Sequence, residues 1–287
     1  MMMEANVEAV KNGGRALPSD LQQTVVVAKY DIMKYLRSRR LLGILIIEAL
    51  VLVLITALVG TSERPHTVDG VIEQYVGFVS ILIVLGATLF GGDAIVSEYQ
   101  SRTGFLLFPN PVRKSSILAG KFASSVGAMG LVLVTYYAVA IAAGLVMGDG
   151  GLSDRVFASL GLSLLYGISA MAVAFLISSI MKGSTGALIL TFALFFLILN
   201  IITSLIGQLG GTKPWFMIDF AGGTLSYIMS DPYPVDTTMS FEIAPGQSFT
   251  TYLFYPEVYL SIGVMVAYAV AAMVLAYIFF RRREMAA

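Results

Sequence analysis

Glu98 and Arg102 stand four residues apart in the polar stretch D-A-I-V-S-E-Y-Q-S-R-T-G-F-L-L-F-P-N-P-V-R-K-S-S-I-L-A-G-K, residues 93–121. A helix from about Ala94 to Arg102, stopped by Gly104 at the C′ position, would carry both charges on one face. Such a face suits docking in a cleft of a second protein, and a rigid helix passes on a displacement that a flexible loop absorbs. Pro109 and Pro111 fix the path of the returning chain. The competing reading is a solvated loop with one helical turn. Four other residues lie inside long apolar runs. Glu48 falls about seven residues into its run, roughly 10 Å deep. It either faces a pathway and binds a cation or a substrate amine, or it pairs with a nearby Arg or Lys or is protonated. Asn200 either lines a path or hydrogen-bonds a neighbouring helix. Tyr136 and Tyr137 are candidate cavity residues.

Enzymatic constellations are missing. The nearest approach to a G-x-x-x-x-G-K-[ST] phosphate loop is Gly120-Lys121, but position 115 is serine and Phe122 follows the lysine. There is no zinc-protease helix motif and no G-x-S-x-G elbow. His66 is the only histidine and sits in a loop, and cysteine is absent, which excludes disulfides, thiol chemistry and Cys-ligated metal. No catalytic, cofactor-binding or metal-ligating residue is therefore expected.

The elements that carry these residues are apolar and long. The chain is 57% hydrophobic and 13% charged, against about 25% charged in soluble domains. Six runs stand out: Leu41 to Gly60, Ile72 to Gly92, Phe122 to Met147, Val156 to Met181, Thr185 to Gly207 and Val258 to Phe280. Each is long enough to cross a hydrocarbon core of roughly 30 Å as a helix. None alternates as barrel strands do. An all-α polytopic membrane protein is expected.

The polar segments between the runs divide by charge. One alternating set carries fifteen of the eighteen Lys and Arg residues, and the other carries only Arg64, Arg155 and Lys213. Positive segments stay cytoplasmic, so both termini and residues 93–121 are expected inside, in the plasma membrane. The basic inner face suits anionic lipid headgroups. Residues 1–19 read as a disordered start without a signal peptide. Residues 20–40 read as an amphipathic helix along the inner surface, with apolar positions Leu21, Val25, Ala28, Ile32, Tyr35 and Leu36. Residues 41–287 form the six-helix domain. The segment 208–257 is long for a connection without elements of its own. A short membrane-associated helix is expected within 213–229. Pro214 suits its start, and Phe220 and Tyr227 share a face that can rest on the outer leaflet or on the fifth span.

Residues 93–121 resemble the permeases of ABC-2 type transporters. The shared pattern is an acidic residue leaving the second span, then Glu98, the Gly-terminated helix, aliphatics, proline, the basic Arg113, and Ile117-Leu118-x-Gly120-Lys121 opening the third span. The basic helix before the first span and the Phe280-Arg281-Arg282-Arg283-Glu284 ending are similar to that family as well. The longer segment before the last span is a departure. The resemblance implies a type V exporter-like architecture. It further implies pairing with a second copy or a paralogue, and a separate ATP-binding subunit docked on Glu98, Arg102, Gly104 and Arg113. ATP then belongs to that partner. Membrane lipids are expected partners and nucleic acid is not. Small residues in spans two to four let helices approach closely and read as packing. An adaptable methionine content is compatible with a lipid-like, amphipathic or drug-like cargo. The rival reading is a module that relays ATP-driven motion to an extracytoplasmic protein through 208–257. A membrane-embedded enzyme is disfavoured by the missing motifs.

Overall fold

Ser19 opens the first helix through a reciprocal cap. Its hydroxyl accepts from the Gln22 N–H, and the Gln22 side chain accepts from the Ser19 N–H at 3.0 Å. The computed structural model describes residues 19–61, 67–100, 113–244 and 247–282, without the side chains of 242–249. Helix α1 (Asp20–Leu36) precedes six helical segments long and apolar enough to cross a bilayer. Span 1 is α2 (Arg39–Gly60). Span 2 (Val68–Gln100) joins α3 (Val68–Val76), α4 (Val79–Gly86), a π turn (Ala87–Gly91) and α5 (Val96–Gln100). Span 3 is α6 (Lys114–Met147) and span 4 is α7 (Asp154–Ile180). Span 5 (Ser184–Leu209) runs through α8 (Ser184–Ala193), a π turn (Leu194–Ile198), α9 (Leu199–Ser204) and a second π turn (Leu205–Leu209). Short helices α10 (Ile218–Gly222) and α11 (Thr224–Tyr227) follow. Next comes an antiparallel hairpin of β1 (Thr237–Ala244) and β2 (Gln247–Leu253), and span 6 is α12 (Val258–Arg282). The all-α polytopic architecture is therefore present, with one hairpin added to it.

Burial sorts the spans. In span 2, 78% of the apolar window is buried, whereas in span 5 only 11% is. Span 2 is thus the central post. Span 5 presents an open apolar face with Phe192, Phe196, Leu197, Ile201 and Leu205 exposed. Span 1 buries only a narrow stripe, Leu41, Ile44, Glu48, Leu52, Ile55 and Val59. That spacing of three and four is the signature of a helix touching protein along one line and lipid elsewhere.

Close approach is secured by small residues. A Cβ on Gly91 would stand 2.7 Å from Met171 Sδ and 2.8 Å from Ala174 Cβ, so span 4 lies directly on span 2 there. A Cβ on Gly120 would stand 2.7 Å from Val27 Cβ and 2.8 Å from the Thr24 carbonyl oxygen. Gly120 is therefore where α1 presses onto span 3. Polar contacts also seat α1. Gln23 is buried and donor-acceptor contacts fix the helix: Arg113 N–H to Gln23 Oε1 at 3.2 Å, and the Ser116 hydroxyl to the Asp20 carbonyl at 3.3 Å. Leu21, Val25, Val26, Tyr30 and Leu36 stay exposed. The helix is held by these polar contacts together with Val27, against Gly120, and Tyr35, edge-to-face on Phe90 at 5.3 Å, and leaves its other large apolar residues outward.

Residues 213–229 also differ from expectation. They form two short helices beginning at Ile218 rather than one beginning after Pro214. Ile218, Ala221 and Leu225 are buried in the main core, while Trp215 and Phe216 are exposed. Of the two placements expected for it, the segment takes the one against span 5, with Asp219 bonded to Thr203, because its aliphatic side chains find more complete burial among the spans. Lys213 ties its base to Asp236 at 3.0 Å and Glu257 at 3.3 Å.

Candidate functional site

Residues 93–100, at the end of span 2, are built into a polar hub. Arg40, two residues into span 1, donates both guanidinium nitrogens to Asp93 at 2.7 Å each and a further bond to the Leu89 carbonyl at 3.1 Å. The Ser178 hydroxyl of span 4 accepts from the N–H groups of Ile95 and Val96 at 3.0 and 3.1 Å. This capture delays the start of α5 to Val96, where the sequence placed it near Ala94. Glu98 accepts from Lys121 of span 3 at 2.8 Å, and Lys121 reaches Asp31 of α1 at 3.2 Å. Lys34 of α1 stands 3.9 Å from Glu98. The Gln100 side chain accepts from the Ser184 N–H of span 5 at 2.9 Å. Tyr99 meets Phe280 of span 6 edge-to-face at 6.4 Å. One eight-residue segment thus contacts α1 and all five other spans.

Glu98 does not project toward a partner as the sequence suggested. Its side chain is 13% exposed, because the two cations and the overlying α1 draw it inward. Lys121, counted in the sequence as a loop cation, is 9% exposed between two carboxylates. A pair buried to this degree costs desolvation and persists only with good geometry on every proton. Arg113 remains exposed and pairs with Asp20 of α1. Arg102, Gly104, Pro109, Pro111, His66 and residues 1–18 lie outside the described residues. Beside the hub opens a cavity of about 320 Å³ lined by Asp31, Lys34, Arg39, Arg40, Asp93 and Lys121 among others.

The residues singled out within the spans are placed as follows. Glu48 is the tenth residue of α2, which starts at Arg39, so it lies about 14 Å along the helix rather than near the edge. Its Oε1 accepts from the Thr135 hydroxyl at 2.9 Å, and its Oε2 has no hydrogen-bond partner among the described residues. No Arg or Lys among the described residues pairs with it, contrary to one of the sequence readings. Tyr136 is buried and donates to the Tyr75 carbonyl at 2.9 Å. Tyr137 is buried against the hydroxyls of Ser159 and Ser163, each at 2.8 Å. Both tyrosines thus spend their hydroxyls joining span 3 to spans 2 and 4. Asn200 bonds its own helix, donating to the Phe195 carbonyl at 2.9 Å. The π turn over Leu194–Ile198 disturbs the regular ladder there, and the side chain supplies a donor.

A second cavity, of about 460 Å³, brings Asn200 together with Phe195, Phe196, Ser80, Ile81, Val84, Tyr166 and Asp219. It therefore lies between spans 2, 4 and 5 and α10, on the face that span 5 leaves open. Asp219 accepts from the Thr203 hydroxyl of span 5 at 2.8 Å. Burial pushes its carboxyl above the ordinary carboxylate range, opposed by Thr203 and by the N–H groups of Phe220 and Asp219. In the sequence, Asp219 is one polar residue within the segment 208–257 and carries no motif of its own. Its descent to the level of Thr203 is a tertiary fact without a local signal. The opposed charges at Arg40 and Asp93, each at the same end of its span, were the legible hint of the hub.

Among the described residues no group of His, Asp and Glu could hold a metal. No curated protein matches the chain. The family model described as ABC-2 family transporter protein matches residues 25–285, from within α1 to beyond span 6. With six spans and that match across nearly its whole length, the chain belongs to the ABC-2 family, as a multi-pass membrane permease of an ABC transporter.

Proposed function

We propose that this permease is half of an exporter, paired with a second copy or a paralogue and driven by a separate ATP-binding subunit docked beneath residues 93–121. The observation that carries the reading is the hub, in which residues 93–100 touch α1 and every other span. A force applied at that segment reaches the whole basic end at once, as rigid-body rocking requires. Hydrolysis belongs to the partner, and this chain supplies the path. The cavity beside span 5 is part of that path, since it adjoins the most open apolar face and combines aromatic walls with Asn200 and Asp219. Amphipathic or lipid-like substrates suit it. The charge distribution supports both termini inside, with 208–257 outside. α1, with Leu21, Val25 and Leu36 exposed, suits the inner headgroup region.

A second reading is a relay to an extracytoplasmic protein. The hairpin favours it, with Met239 and Phe241 exposed on its first strand and Val235 exposed just before it. One preparation separates the two. The tagged chain is purified with the ATPase that accompanies it and placed in proteoliposomes. Export predicts ATPase stimulation by an amphipathic solute together with movement of that solute. Turnover without solute movement, with a protein retained through 208–257, would favour the relay. Failure of any ATPase to accompany the chain would overturn both.

A further inference from the structure

We infer that Asp219 makes the cavity beside span 5 selective for substrates that join a cationic head to an aromatic or aliphatic body. The inference rests on reading that cavity as part of the transport path. Asp219 is bonded to Thr203, six residues before the end of span 5 at Leu209. That places the carboxylate about 9 Å in from the end of the helix. It lies within the protein and forms no ion pair among the described residues. The described cations of that side are engaged elsewhere, Arg155 with Asp231 and Lys213 with Asp236 and Glu257. The cavity wall contains this acid and no Lys or Arg.

A carboxylate without a counter-ion in such surroundings is costly. The Thr203 hydroxyl and the N–H groups of Asp219 and Phe220 offset part of that cost. They are neutral donors and leave the negative charge in place. A ligand ammonium or phosphonium completes the site. The rings around it strengthen the preference, because Tyr166, Phe195 and Phe196 line the same cavity. Aromatic faces attract desolvated cations. Ile81 and Val84 provide the apolar wall for the body of the molecule. An anion of the same shape meets a half-buried like charge, which is how a site rejects as well as selects.

Protonation gives a second readout. Thr203 of span 5 bonds Asp219, Tyr166 of span 4 lines the same cavity, and Tyr268 of span 6 is near enough to interact with it electrostatically; none carries charge near neutral pH. Burial holds the carboxyl above its ordinary range. Cation affinity is thus complete where Asp219 is ionised. It falls in a single transition as the pH drops through that raised value, earlier than for an ordinary carboxylate.

The test uses the full chain in nanodiscs without its ATPase, with tritiated tetraphenylphosphonium as the cation and tetraphenylborate as an anion of the same shape. Saturable phosphonium binding is expected, weakened at least tenfold by Asp219→Asn and retained by Asp219→Glu, with borate a poor competitor. Equal competition by borate, or wild-type affinity in Asp219→Asn, overturns the inference. Should Asp219→Asn fail to fold, the comparison of the two ions and the acid transition in the wild type still decide it. Saturable binding without ATP-driven movement would remove the transport reading and leave the site. ATPase stimulation by neutral solutes without phosphonium binding would do the reverse.

Discussion

Lys121→Met is expected to lower stability by roughly 3–5 kcal/mol, the largest effect of any single change at the basic end. The methionine matches the lysine in length and leaves little cavity. Its damage is electrostatic, because Asp31 and Glu98 lose the ammonium that lies 3.2 and 2.8 Å from them. Both carboxylates are largely shielded by α1, at 17% and 13% exposure, so water compensates poorly. Lys34 at 3.9 Å is too distant and too exposed to substitute. The same substitution detaches α1 and span 3 from residues 93–100. ATP turnover by the bound partner is therefore expected to continue with solute movement reduced. Thermal unfolding in detergent gives the first quantity and paired turnover and transport assays give the second. Lys182→Met, at an exposed position between spans 4 and 5, is the control and is expected to stay within about 0.5 kcal/mol of the parent. A Lys121→Met loss below about 1 kcal/mol would mean that the hub is not held by this charge.

The second large effect is asymmetric. Arg40→Met strands Asp93, whose side chain is 4% exposed, and removes the donor to the Leu89 carbonyl. A loss of about 3 kcal/mol is expected, at the low end for a broken buried pair because the guanidinium is itself partly solvated. Asp93→Asn leaves Arg40, 43% exposed, free to reach water, and is expected to cost only about 1–2 kcal/mol. The double variant should be less damaging than the sum, with a coupling of roughly 1–3 kcal/mol. Simple additivity of the two losses in denaturation experiments would show that the bidentate bond contributes nothing of its own.

These residues also mark where the sequence could be read and where it could not. The spans were legible because each is a long, uniformly apolar run bounded by charge. Helix ends were not, since α2 and α6 begin at Arg39 and Lys114, ahead of the apolar residues. That shift moves Glu48 toward the middle of span 1 and turns Lys121 from a terminal marker into an interior residue. The breaks in span 2 at Gly77–Phe78 and at the π turn leave hydropathy unchanged and so give no signal. The hairpin did have one. Two runs rich in Thr and aromatic residues flank Pro245-Gly246, a turn pair that marks a hairpin. The burial of Lys121 by α1 joins residues 90 positions apart and the capture of the α5 start by Ser178 joins residues 83 apart, while the descent of Asp219 to Thr203 rests on a chain reversal. None of them is visible in any local window.

The rigidity of the basic end is the most direct measure of coupling through residues 93–100. Cysteine is absent from the chain, so spin labels can be placed singly at Tyr30 of α1 and at Lys182 beyond span 4, both exposed. Their separation is read by pulsed electron resonance in the ATPase-bound complex, without nucleotide and with ATP trapped. The expected result is one narrow distance that is the same in both states and broadens only in Lys121→Met. A distance that shifts with nucleotide in the wild type would show α1 and span 4 moving separately, and would contradict a single hub at residues 93–100.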